Sequence, residues 1–123
     1  MHMNFEPSAV ACDEIEFNDF LKVDIRIGEI IEVEDFPEAR NPSYKIKINF
    51  GEAIGEKKTS AQITTLYTKE SLIGKKVAAV VNFPKRQIGK FMSEVLLLGF
   101  SDSEQNVVLF KMDHEVPNGA RLH

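Results

Sequence analysis

The sequence predicts an all-β fold, a β-barrel of five strands in Greek-key order with one helix between strands 3 and 4. Three observations lead to this prediction. The 123 residues are enough for one domain with its own core, since 43% of them are apolar and 28% are charged. Short runs that alternate apolar and polar residues recur along the chain. One helix-like segment interrupts these runs near the middle of the chain.

A short helix is predicted ahead of the first strand. Asn18 is a favourable residue at a helix N-cap, and Phe17 before it can pack on the first turn. Phe20 and Leu21 would then face the core.

Three strands follow this helix. Residues 23–33 alternate as a half-buried strand does, until Gly28 and a pair of isoleucines break the alternation. That break predicts a bulge or a sharp bend, as in a strand that curves around a small barrel. Residues 44–50 alternate without interruption, and residues 57–63 are predicted as the third strand.

The second half of the chain contains the remaining elements. In chain order these are a helix over residues 64–73 ended by Gly74, strands over 76–83, 94–100 and 107–112, a polar loop over 101–106, and a turn over 117–119. Five or six short strands with one helix between the third and fourth are typical of an OB-fold barrel. Another small α+β barrel is the alternative that this order leaves open.

The sequence lacks the residue patterns of most catalytic and metal sites. Cys12 is the single cysteine, which excludes an internal disulfide and a zinc ribbon. The three histidines, His2, His114 and His123, are not at the spacing of metal ligands. No phosphate-binding loop or nucleophile motif is present. We therefore expect a protein without catalytic activity, metal or cofactor.

The ends of the chain bear on its location and domain organisation. No apolar run approaches the ~18–20 residues that span a bilayer, and the first six residues lack the features of a signal peptide. We expect a cytoplasmic protein with no membrane insertion. Residues 1–17 are acidic and irregular, which predicts an N-terminal extension, either flexible or used in dimer docking. Residues 18–123 are the expected barrel domain.

Charge is distributed unevenly along the chain. The net charge is −4, but residues 40–90 hold eleven Lys and Arg against three Asp and Glu. The rest of the chain holds four against sixteen. Affinity for nucleic acid depends on the local patch, so the basic middle predicts a nucleic-acid surface. A solvated surface with uneven charge is the alternative interpretation.

Residues 82–91 (NFPKRQIGKF) are the least generic segment. An apolar strand runs into a turn that combines three cations with two phenylalanines. Cations contact phosphates, and flat apolar side chains stack on unpaired bases, so this composition favours RNA binding. The alternative is a charged hairpin tip with both phenylalanines in the core.

Several motifs resemble one known family. Residues 19–28 (DFLKVDIRIG) resemble the opening of the tRNA-binding OB domain, which also forms the C-terminal domain of bacterial methionyl-tRNA synthetase. Further motifs narrow the match, namely residues 36–40, 60–63, 81–84 followed by Arg86, Ile88 and residues 93–96, and the ending 116–119. With these motifs the chain is similar to the CsaA-type family of export-related chaperones, each a stand-alone tRNA-binding OB-fold domain.

The resemblance implies an OB-fold homodimer with extra N- and C-terminal elements for dimerisation, and no catalysis. Its implied partners are tRNA and unfolded or exported polypeptides. A pure polypeptide-binding chaperone without a functional RNA surface is the alternative. The resemblance and the basic middle together give as tRNA-binding candidates Arg26, Arg40, Lys45, Lys47, Asn82, Lys85, Arg86, Lys90, Ser93 and Glu94. The polypeptide-binding candidates are Phe36, Phe83, Phe91 and Met92.

Overall fold

The structure, a computed structural model, describes residues 6–123. The elements, in chain order, are α1 (Phe17–Leu21), β1 (Ile25–Asp35), β2 (Tyr44–Asn49), β3 (Glu56–Ala61), α2 (Lys69–Leu72), β4 (Lys76–Val80), β5 (Arg86–Ile88), β6 (Phe91–Ser93), β7 (Leu96–Leu97), β8 (Gly99–Ser101) and β9 (Val107–Leu109). Five strands form one antiparallel sheet in the order β3–β2–β1–β4–β7. The pairs β5–β6 and β8–β9 are separate two-stranded hairpins.

The main sheet curls so that its two edges meet. The long strand β1 pairs with β4 along its first half and with β2 along its second half. At the far edges, the amide of Glu94 donates to the carbonyl of Lys58 at 2.8 Å, and Thr59 Oγ1 donates to the carbonyl of Val95 at 2.8 Å. The sheet is therefore a nearly closed barrel, and the predicted all-β, OB-like fold is confirmed.

The core follows the alternation that the sequence shows. Ile46, Ile48 and Phe50 are buried, while the residues between them lie on the outer face of β2. The register of β1 against β2 shifts between Ile30 and Glu32, which is the predicted break in the first strand. The extra residue bends β1 where it exchanges one partner strand for the other.

The predicted helix over residues 64–73 is wrong for most of its length, because α2 has only four residues. Thr68 caps it, with Thr68 Oγ1 accepting from the amide of Ser71 at 3.0 Å. The preceding loop is held to the barrel instead. The hydroxyl of Tyr44 donates to the carbonyl of Tyr67 at 2.9 Å, and the amide of Leu109 donates to the hydroxyl of Tyr67 at 2.9 Å. These tertiary hydrogen bonds outweigh local helix propensity.

The first helix begins earlier than its sequence signal indicates. Glu16 is the N-cap, and its amide donates to Asp19 Oδ2 at 3.0 Å. The predicted cap at Asn18 is therefore wrong. Leu21 was expected to face the core, and in this chain it is 44% exposed. Side-chain directions on a helix turn by ~100° per residue, so a displaced start points different residues at the barrel.

The last part of the chain is more divided than predicted. The strand expected over residues 94–100 consists of the short strands β7 and β8. The turn after β4 contains the hairpin β5–β6; this segment was predicted from the sequence as a turn, with a charged hairpin tip as the alternative interpretation. In the polar loop after β8, Asp102 Oδ1 accepts from the amides of Glu104 and Asn106, each at 2.9 Å, and these bonds lower the pKa of Asp102.

Within residues 6–123, no helix is long and apolar enough to cross a membrane, and no three metal-ligating side chains form a cluster. The predicted N-terminal extension has no helix or strand over residues 6–16. Its first five residues, His2 among them, lie outside the described part.

Candidate nucleic-acid interface

A cleft of about 450 Å³ opens beside the outer edge of β3. The loop after β1 forms one wall, and the β5–β6 hairpin forms another. Strands β7 and β9 close its base. The lining residues are Ala39, Arg40, Asn41, Ser43, Ser60, Ala61, Gln62, Ile63, Arg86, Ile88, Leu96, Leu97, Val107 and Leu109. The cleft thus combines an apolar base with polar groups and two arginines.

Arg40 and Arg86 reach this cleft from separate parts of the chain. Arg40 follows β1 in a loop, while Arg86 is the first residue of β5, and both are exposed. Among the residues that the structure describes, neither side chain forms an ion pair or a hydrogen bond. Their guanidinium donors are therefore available to an anionic ligand, for which the planar fork suits phosphate.

A smaller cavity of about 230 Å³ continues from the cleft. The two share Ser60, Arg86, Ile88 and Leu96, so Arg86 lies between them. The smaller cavity also contains four predicted site residues or their neighbours, namely Phe83, Pro84, Ser93 and Glu94. Phe83, Pro84, Ser93 and Glu94 therefore adjoin the arginine cleft through the lining residues that the two cavities share.

Two predicted cations on the barrel's outer face already have carboxylate partners. Lys47 Nζ lies 2.8 Å from Glu32 Oε2, and this hydrogen bond raises the pKa of Lys47. Lys45 Nζ lies 3.9 Å from Glu34 Oε2 and 5.4 Å from the ring centre of Phe36. Both lysines therefore differ from the unpaired arginines of the cleft.

The β5–β6 hairpin region adds one cation with a carboxylate partner and one without. Lys85 Nζ lies 3.6 Å from Glu94 Oε2, whereas Lys90 is exposed and forms no ion pair within residues 6–123. Glu94 also accepts a hydrogen bond from the amide of Lys58 at 3.0 Å. Lys58 Nζ itself lies 5.4 Å from the ring centre of Phe91. Glu94 therefore fastens the hairpin to β3.

Three predicted tRNA contacts are engaged within the chain. Arg26 is 25% exposed and binds Asp24 Oδ1 at 2.6 Å and the carbonyl of Gly119 at 3.1 Å. Asn82 accepts from the amide of Asp24 at 2.9 Å and donates to the carbonyl of Lys22 at 2.7 Å. Ser93 is buried, and its hydroxyl lies 3.1 Å from Thr59 Oγ1. Their polar groups hold the barrel's ends and seam together.

The aromatic candidates divide by burial. Phe36 is 6% exposed and packs on Phe91 at a ring-centre distance of 5.3 Å, so Phe36 belongs to the interior. Phe91 and Met92 are half-buried on β6. Phe83 is 50% exposed. Of the four predicted polypeptide contacts, Phe83 is the one with a largely open ring.

Several residues that line the cleft were not among the binding residues predicted from the sequence. Ser60 and Gln62 lie on its β3 side, and Leu96 lies at its base. Residues 60–63 were noticed as a motif, and the motif was the available signal for them. Leu96 likewise belongs to the motif of residues 93–96, although its apolar character alone would place it in the core, since an apolar residue in a strand is normally buried.

The sequence of the chain matches a known domain family. The sequence family described as "Putative tRNA binding domain" matches residues 25–121. The chain belongs to this tRNA-binding domain family. The match spans the whole barrel, both arginines of the cleft and the hairpin.

Two solved structures resemble the chain along most of its length. The chaperone CsaA of Bacillus anthracis superposes with a TM-score of 0.84 at 44% identity, covering 90% of this chain and 100% of that one. The CsaA chaperone protein of Picrophilus torridus gives 0.83 at 52% identity, covering 89% and 100%. The chain is therefore a CsaA-type member of the tRNA-binding domain family.

Longer proteins contain a similar domain. The methionine–tRNA ligases of Thermococcus onnurineus and Pyrococcus horikoshii are 32% and 35% identical to the chain over 108 residues. Each match covers 88% of this chain, which spans only 14% of each ligase.

Proposed function

We propose that this chain is a CsaA-like tRNA-binding protein that holds RNA in the cleft of Arg40 and Arg86 and catalyses no reaction. The observation that carries the proposal is the pair of exposed, unpaired arginines at one apolar cleft of a tRNA-binding family domain. The pure polypeptide-binding alternative has no use for this pair.

The chemistry of the cleft suits folded RNA with accessible unpaired nucleotides. A guanidinium binds phosphate through two parallel hydrogen bonds, and its attraction does not depend on sequence. The apolar side chains on the floor of the cleft, such as Leu97 and Leu109, offer surface to a nucleotide base that has left its stack. We therefore expect recognition of RNA by shape and charge.

The other predicted tRNA-binding residues differ in how directly they would contact the RNA. Lys90 adds an unpaired charge on the hairpin, and Lys85 adds one that Glu94 partly neutralises. Ser93 and Glu94 form the wall of the smaller cavity. We assign Arg26 and Asn82 to holding the barrel in shape. Lys45 and Lys47 lie beyond the cleft on the sheet face.

Replacement of both cleft arginines tests the proposal. The variant Arg40→Ala/Arg86→Ala is expected to bind bulk tRNA about 10-fold or more weakly, because charge-assisted hydrogen bonds to phosphate are lost. Its affinity should also fall less steeply between about 50 and about 200 mM salt. Fluorescence anisotropy of labelled tRNA measures both quantities.

The matched control is Lys22→Ala/Lys111→Ala, which removes the same charge at exposed positions that do not line the cleft. The control should change affinity much less than the arginine variant. Equal effects of the two variants would show that only total charge matters, and the cleft would lose its assignment.

We propose polypeptide binding as a second activity, supported by the half-exposed ring of Phe83 at the smaller cavity. Such a ring gives unfolded chains an apolar contact. Slowed aggregation of an unfolded client at stoichiometric ratio would support this activity, and unchanged aggregation would remove it.

We also propose that the chain is a cytoplasmic homodimer linked to export, with residues 1–17 as a dimer-docking extension to the domain of residues 18–123. The support is apolar surface on the described extension and on the end of the chain. Val10, Ile15 and Phe17 are exposed, as is Leu122, and Arg121 binds the carbonyl of Leu21. Sedimentation equilibrium would show twice the chain mass, whereas a monomer would contradict the dimer.

A further inference from the structure

A cross-strand pattern of charge covers the outer face of β1, β2 and β3. In the register of the sheet, Glu32 is opposite Lys47, and Lys47 is opposite Lys58. One step along, Glu34 is opposite Lys45. The carboxylates therefore form a row on β1 beside the basic row of β2.

The contacts show that these rows interact. Glu32 is hydrogen-bonded to Lys47 at 2.8 Å, and Glu34 lies within ion-pair distance of Lys45. A shallow cavity of about 390 Å³ lies over this face and is lined by both glutamates, three lysines and Phe91. The surface holds enough cations and an aromatic ring to attract nucleic acid, but the two carboxylates neutralise part of it.

The arginine cleft on the other side of β3 lacks such carboxylates. No Asp or Glu is among the residues that line it. The basic region of the barrel therefore has two parts, a cleft with two unpaired arginines and a sheet face on which two of the three lysines pair with carboxylates.

We propose that Glu32 and Glu34 are specificity-determining residues, which keep nucleic acid off the sheet face and confine it to the arginine cleft. This inference rests on the proposed tRNA binding. It goes beyond that proposal because it assigns a function to acidic side chains, which do not attract RNA.

The shape of the ligand determines which of the two surfaces it can bind. A duplex presents continuous rows of phosphates and binds to an open basic face by charge alone. Glu32 and Glu34 repel those phosphates, and they pair with the ammonium groups of Lys47 and Lys45 that would otherwise bind them. A cleft with an apolar base instead admits unpaired nucleotides. The two glutamates thus favour RNA with accessible single-stranded parts over a plain duplex.

The variant Glu32→Gln/Glu34→Gln tests this assignment, since it removes both charges and keeps the side-chain shape. Anisotropy is measured with tRNA and with a DNA duplex of about two helical turns, at about 50 and about 200 mM salt. We expect duplex affinity to rise about 10-fold and its salt dependence to steepen by roughly 1 to 2 in log–log slope, as phosphate contacts to Lys45 and Lys47 form. Affinity for tRNA should rise by a smaller factor than affinity for the duplex, because the unaltered cleft already supplies contacts to tRNA that the duplex lacks.

The control Glu14→Gln/Glu104→Gln makes the same change in net charge at exposed positions outside both surfaces. It should leave the preference for tRNA over duplex as in the wild type. Addition of Lys45→Gln/Lys47→Gln to the glutamate variant should remove the gained duplex binding. Circular dichroism of each variant verifies folding, which exposed Glu→Gln changes do not disturb.

Two results contradict different statements. If the wild type binds tRNA and the glutamate variant binds duplex no better than the control does, the assignment of Glu32 and Glu34 is overturned while the proposed function stands. If the wild type shows no salt-dependent binding of tRNA at the lower salt, the proposed function fails first and takes this inference with it.

Discussion

At the scale of single residues, Gly28 is a position where the packed core leaves no room for a side chain. Its backbone is extended, so no special φ angle requires glycine. A Cβ at this position would lie 2.5 Å from Ile48 Cγ2 and 2.7 Å from the ring of Phe50. The neighbouring strand therefore packs directly on the backbone of β1, which explains why the alternation breaks at this residue.

The substitution Gly28→Ala is expected to destabilise the fold by about 1–3 kcal/mol, the usual cost of overpacking a filled core. Urea unfolding followed by circular dichroism measures the change. In an Ile48→Ala background, which removes the nearest atom, the same substitution should cost less. An equal cost in both backgrounds would contradict packing against Ile48 as the cause.

Whether the role of a residue could be predicted from sequence depended on how far along the chain its contact partner lies. Arg26 has the composition of a phosphate contact, but its hydrogen-bond partner Gly119 is 93 positions away. Arg40 and Arg86 also come together only in the folded chain. The sequence shows which side chains are cationic. It does not show which of them are free to bind a phosphate, because that depends on residues far away along the chain.

At the scale of elements, the end of the chain acts as an additional strand beside β1. The amide of Ile27 donates to the carbonyl of Ala120 at 2.9 Å, and the amide of Leu122 donates to the carbonyl of Ile25 at 2.8 Å. Asp24 binds Arg26 and lies 3.3 Å from Arg121 Nε, so it joins this tail to the start of β1.

Replacement of Asp24 by alanine is expected to lower the free energy of unfolding by about 2 kcal/mol, because the partly buried guanidinium of Arg26 and the more exposed one of Arg121 both lose a charge-assisted partner. Glu115→Ala is the control: its ion pair with Lys76 involves a highly exposed carboxylate, and its loss should cost below about 0.5 kcal/mol. Equal costs in chemical denaturation would show that Asp24 is only another surface charge.

Strands were easier to predict than the helix and the hairpins. Residues 44–50 alternate because one face of β2 is buried and the other is not, and this period is visible in sequence. The helix over residues 64–73 was overpredicted because the bonds of Tyr67 to Tyr44 and Leu109 cannot be seen locally. The β5–β6 hairpin has too few residues per strand to show a period.

At the scale of the whole molecule, net charge is a poor guide to the surface. The chain is negative overall, yet its unpaired arginines share one cleft, and neighbouring lysines are neutralised by glutamates on the adjacent strand. The charge arithmetic predicted a basic middle. The basic region divides into a cleft with unpaired arginines and a face with paired lysines because of the strand register, and a count of charges along the sequence does not show that register.

The most direct test of the central claim is an NMR titration of the isotope-labelled protein with tRNA at about 50 mM salt, a condition in which phosphate contacts are strong. The account predicts that the largest changes in amide shifts occur in residues 39–43, 60–63 and 86–88 around the cleft. Changes in residues 32–34 of the acidic row should be smaller. Shifts centred on the sheet face, or absent from the cleft at saturating tRNA, would contradict the account.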